Sequence, residues 1–110
     1  MKIDYAGAVY DFDVMDLDTF ECEQIEKFCQ VKGMGDWANR LTSANTRALQ
    51  ALWWAVRRRA GEDAGPIGRP DPGFKPLAFS MAFSAAEAAE AEAAEAKAAD
   101  EPDPTTPAAG

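Results

Sequence analysis

The chain has 110 residues, a formal charge of −8 and no histidine. That length allows one small domain with a tail, which buries only about 60–70% of its unfolded surface and gains stability from a partner or from self-association. The charge falls in blocks of −6 over residues 1–30, +4 over 31–75 and −6 over 76–110, which argues against a general nucleic-acid binder with its continuous basic surface. It also lets the middle block of one copy attract the ends of another.

Residues 2–14 alternate apolar and charged side chains with a break at Ala6 and Gly7. Period two with aromatic and β-branched residues predicts a hairpin, with strands near 2–5 and 8–13. A lone hairpin is barely stable in water, so its apolar face must lie on the helices that follow.

Asp18 and Glu21 have the spacing of a capping box and open a first helix. Its apolar face carries Cys22, Ile25, Phe28 and Cys29, while Glu21, Glu23, Gln24, Glu26 and Lys27 are expected to face water. Gly33 reads as its terminator. Asp36 reads as the cap of a short second helix bearing Trp37 and Leu41.

Residues 43–61, SANTRALQALWWAVRRRAG, read as the third helix. Ser43 is a good N-cap, and Leu49, Leu52, Trp53 and Val56 share one face. Arg57, Arg58 and Arg59 sit where carbonyl dipoles favour cations, and Gly61 suits a left-handed stop. Adjacent residues point about 100° apart on a helix. Trp53 is therefore expected in the core and Trp54 at its edge or against a partner. The arginines have three readings: solvated helix-end cations, a contact with an acidic surface in this chain or a partner, or a phosphate contact.

Residues 62–76 are dense in glycine and proline and read as a linker or irregular arm. Leu77, Phe79, Met81 and Phe83 then alternate with smaller residues over 77–84. They form a strand or extended segment that packs back on the domain or docks on a partner. Ser84 and Glu87 suggest a capping box for an acidic Ala/Glu helix over 85–99, and 100–110 reads as disordered. The fold expected is α+β, mainly α: a small N-terminal hairpin on three helices over 1–61, then the arm, the apolar segment and the acidic tail. The expected core is Tyr10, Phe12, Leu17, Ile25, Phe28, Trp37, Leu41, Leu49, Leu52, Trp53 and Val56.

No catalytic constellation or phosphate-binding glycine loop is legible, and no cofactor is implied. The acid run Asp11, Asp13, Asp16, Asp18 fails as a calcium loop, because position six is Asp16 and position twelve is Cys22. Cys22 and Cys29 lack zinc spacing. Two helical turns would separate their α-carbons by about 10 Å, too far for a disulfide. Met1 is followed by Lys2, Ile3 and Asp4 with no apolar run, so neither a signal peptide nor a membrane span is expected.

The order of features resembles the tail assembly chaperones of long-tailed, siphovirus-type phages, above all those of phages infecting actinobacteria. The likeness rests on the acidic hairpin, the D-x-x-E helix with its I-E-K stretch, the short helix with Trp37, and A-L-Q-A-L-W-W-A-V-R-R-R-A-G-E, and it covers residues 2–63. The alanine-glutamate tail departs from the aspartate- and leucine-rich segment expected after the arginine helix. The resemblance implies a non-enzymatic protein of the host cytoplasm, absent from the mature virion. Its partners would be the tape measure protein, the tail tube protein and a second copy, with no nucleic acid and no membrane. It would be the short form where a ribosomal frameshift makes two. The residues expected to bind protein are Trp54, Arg57, Arg58, Arg59, Leu77, Phe79, Met81 and Phe83. The alternatives are a small regulatory or nucleic-acid-associated module using the three arginines, and a structural subunit retained in the virion.

Overall fold

The computed structural model describes residues 1–100, with side chains through Lys97. The protein is α+β and mainly helical. Strands β1 (Lys2–Tyr5) and β2 (Ala8–Asp11) pair antiparallel, with Ile3 opposite Tyr10 and Tyr5 opposite Ala8. Ala6 and Gly7 both have positive φ, 54° and 80°, the geometry of a two-residue turn whose twist matches that of the strands. Ile3 and Tyr5 point inward and are buried. The second strand stops two residues short of the expected Asp13. A 3₁₀ turn follows over Val14–Asp16.

Helix α1 (Thr19–Cys29) begins with both halves of the capping box formed. Glu21 N donates to Asp18 Oδ1 at 2.8 Å, and Asp18 N donates to Glu21 Oε1 at 3.1 Å. The helix ends at Gln30, which takes the left-handed conformation (φ 55°). Gly33 is not its terminator. It is the extended residue before α2 (Met34–Thr42), and Asp36 lies inside that helix, 3.7 Å from Arg40 one turn on.

Helix α3 spans Thr46–Arg59, and its cap is Asn45, whose side chain accepts from Ala48 N at 3.0 Å. Ser43 belongs to the preceding helix: its hydroxyl bonds back to the Asn39 and Arg40 carbonyls. A serine hydroxyl serves either end of a helix, and the positive φ of Ala44 sets the break between them. All six residues from Ala51 to Val56 are buried, so α3 is covered on nearly every side. Ala48, Ala51 and Ala55 let neighbouring elements approach closely.

Residues 62–75 form no helix or strand but lie against α3. Ala64 is buried, and the Phe74 ring stacks on Trp53 with 5.8 Å between centroids. The arm is thus a packed strap rather than a free linker.

Helix α4 runs unbroken over Pro76–Asp100. Residues 77–84 are therefore neither a strand nor an extended strap, and Ser84 is an exposed mid-helix residue rather than a cap. Pro76 suits a first helical position, and no glycine or further proline interrupts the run. Phe79 and Phe83 are one turn apart and buried, while Leu77 and Met81 are exposed. The period-two pattern fails because the side chains it groups fall on faces about 200° apart at 100° per residue. Phe79 meets Tyr5, Trp53 and Phe74 at centroid distances of 5.2, 5.3 and 5.5 Å. The hairpin and α4 thus share one aromatic core over α3. Of the expected core, Tyr10, Leu17, Phe28 and Leu41 are only half-buried. The tail expected to be disordered lies, beyond Asp100, outside the described residues.

Candidate functional site

The tandem tryptophans are both sealed. Trp53 and Trp54 retain 9% and 6% of their surface, and each indole N–H has a partner. Trp53 Nε1 donates to Asp71 Oδ2 at 2.9 Å, and Trp54 Nε1 donates to the Gly65 carbonyl at 2.9 Å. The strap that reads as a linker supplies both acceptors, so it covers the second face of α3. Trp54 is therefore a core residue in the monomer and not an exposed anchor. Phe79, on the inner face of α4, is fully buried, and Phe83 one turn on retains 7% of its surface.

The three arginines are engaged within the chain. Arg59 bonds the Glu21 carboxylate and the Asp16 carbonyl, and Arg58 Nε lies 3.4 Å from Glu21 Oε2. Arg57 lies 3.6 Å from Glu62 and 3.7 Å from Asp71. Glu21, expected to face water, is 1% exposed. Its carboxylate closes the cap of α1, and its charge is matched by two guanidinium groups from the end of α3. Only the count of cations at 57–59 against the acids of the first helix hints at this pairing in the sequence.

Two cysteines remain as free thiols. Burial pushes the Cys29 thiol up, and Arg47 and Arg40 draw it part of the way back. Burial also raises Cys22, with the Glu26, Glu21 and Asp18 carboxylates adding to the effect. Both groups are therefore poor nucleophiles. Among the described residues no group of three carboxylate or thiol side chains could hold a metal ion, and no helix is long and apolar enough to cross a membrane.

Apolar side chains are exposed in two places on α4 and beside it. A furrow of about 420 Å³ runs between α2 and α4, closed at one end by the 3₁₀ turn. Its walls are Trp37, Ala38, Leu41, Phe83, Val14 and Met15. Met15 is 87% exposed at its mouth. Trp37 is 1% exposed and forms the floor of the furrow, with its Nε1 donating to the Ala48 carbonyl at 3.2 Å. Leu77 and Met81, 71% and 74% exposed, form a second apolar ridge on the outer face of α4. A third concavity of about 380 Å³ lies under the strap, between Phe28, Arg47, Trp53 and Arg69. Sequence reading includes Leu77 and Met81 among the binding residues and, of the residues lining the furrow, Phe83 alone. Met15, which with Val14 forms an apolar pair between Asp13 and Asp16, is the signal it leaves unused.

Comparison with protein-family models, with curated proteins and with solved structures finds no match.

Proposed function

We propose that this chain is a non-enzymatic tail assembly chaperone of a long-tailed phage, which binds the tape measure protein and supports assembly of the tail tube. The observation that carries this reading is the open apolar furrow between α2 and α4 on an otherwise acidic protein. A protein that keeps another chain soluble needs apolar surface to grip it and like-charge repulsion to stay dispersed while gripping. The furrow and the Leu77–Met81 ridge supply the first. The acidic blocks supply the second, and the second half of α4 carries glutamates on exposed positions. The order of motifs over residues 2–63 supports the same family.

The reading shifts the gripping surface away from the arginine end of α3. A nucleic-acid-associated module would have to break the bonds of Arg57, Arg58 and Arg59 to Glu21, Glu62 and Asp71 before any of them met a phosphate. The test is affinity capture of the tagged chain from infected cells, with mass spectrometry of the captured proteins and of purified virions. The reading expects the tape measure protein in the eluate and the chain absent from virions. Capture without it, or stoichiometric presence of the chain in virions, would overturn it.

A further inference from the structure

We propose that the furrow between α2 and α4 takes an amphipathic helix of the client, one with leucine-like side chains at i, i+3 or i+4 and i+7, flanked by lysine or arginine. The inference rests on the chaperone reading for the source of the helix and on the furrow alone for its chemistry.

The secondary structure of the occupant follows from the walls. Both long walls are α-helices, whose backbone N–H and C=O groups are satisfied internally. An extended peptide laid there would find no backbone ladder on either wall and would gain no main-chain hydrogen bonds from the protein. A helix brings its backbone already paired and needs only an apolar stripe to bury. The furrow offers that stripe's counterpart in the exposed Met15 and the half-buried Val14 and Leu41, over a floor of the buried Trp37 and Phe83. Met15 is a long, unbranched and adaptable side chain at the edge, suited to closing over a partner.

The charge follows from the rim. Asp13 stands at one end and Glu87 on the α4 side, and no lysine or arginine is among the described residues that line the furrow. Among the described residues the Met1 amino group is the one cation that lines the furrow, and it lies 3.0 Å from Glu90. An acidic helix would meet repulsion from both sides, whereas lysines flanking an apolar stripe would meet Asp13 and Glu87.

The probe is a synthetic, end-capped peptide of about eighteen residues with leucine on one helical stripe and lysine elsewhere. Its controls are the same leucine stripe with glutamate and a scrambled lysine peptide. Binding to the full chain is read by calorimetry at about 150 mM salt, where charges farther apart than about 8 Å are largely screened and only close pairs discriminate. The lysine peptide should bind at least about tenfold more tightly than either control. Ala38→Arg, on an exposed helical position of the furrow wall, and Met15→Lys, at its mouth, should each weaken it by about tenfold or more. Met81→Arg, which makes the same charge change on the other apolar surface, should leave it unchanged. Equal affinity for the scrambled peptide, or full affinity in both furrow variants, would overturn the assignment. If the tape measure protein were still captured by those furrow variants, the chaperone reading would stand and this inference alone would fall.

Discussion

Phe79→Ala tests the packing of α4 on the domain. The ring is fully buried and touches the rings of Tyr5, Trp53 and Phe74. Removing a buried phenylalanine costs ~3–5 kcal/mol, the sum of lost transfer energy and the cavity left behind. The upper half of that range is expected here, because three rigid rings held by two strands, a helix and the strap cannot collapse into the gap. Domains of this size have total stabilities of only ~5–15 kcal/mol. At ~4–8 °C per kcal/mol the midpoint should fall by ~15–40 °C. Leu77→Ala and Met81→Ala, on the opposite face, should change stability by less than ~0.5 kcal/mol. Urea unfolding followed by circular dichroism measures all three. A Phe79→Ala loss below ~1 kcal/mol, or an equal loss at Leu77, would mean that this stretch does not pack as the helix described.

Other consequences are as direct. Glu21→Gln keeps the size of the capping side chain but removes the charge between Arg58 and Arg59. It should cost about 1–3 kcal/mol, below the figure for a fully buried pair because both arginines are partly solvated. Arg59→Met should then cost less in that background than alone, in a double-mutant cycle by chemical denaturation. Ala6→Asn relieves a left-handed alanine in the hairpin turn and should raise stability by about 0.5–1 kcal/mol in the same assay. The raised Cys29 thiol stays protonated when folded at pH values where the unfolded chain has begun to ionise. Its stabilising contribution is complete below about pH 8.5 and is lost as pH climbs through the folded value. Cys29→Ala should therefore flatten the decline in midpoint on the alkaline side, measured by thermal melts across that range. A gel-shift assay at low salt should show no DNA or RNA binding, since Arg57, Arg58 and Arg59 are held by carboxylates.

Local signals in the sequence read well where one interaction decides them. The Asp18–Glu21 box, the hairpin break at Gly7 and the left-handed Gly61 each depend on a few neighbouring residues, and each appears in the structure. Helix boundaries at Ser43 and Gly33 shifted because a serine can end a helix as well as begin one, and a glycine suits both the exit and the entry. The largest departure came at 77–84. Four apolar residues at spacing two match a strand, but helix-compatible residues on both sides and the aromatic core of Tyr5, Trp53 and Phe74 draw Phe79 and Phe83 onto one helical face. Tertiary burial also decided Trp54. Nothing adjacent in sequence tells that the glycine-proline strap folds back to accept its indole hydrogen from Gly65. The furrow was illegible for the same reason, since Met15, Leu41 and Phe83 come from three elements brought together only by the fold.

The proposed reading, that this chain grips another protein and keeps it soluble, is tested most directly by co-expression with the tape measure protein that the reading names as its client. Co-expression should move the tape measure protein from the pellet to the supernatant in a complex that co-elutes on size-exclusion chromatography. A tape measure protein left insoluble while this chain elutes alone would contradict the account.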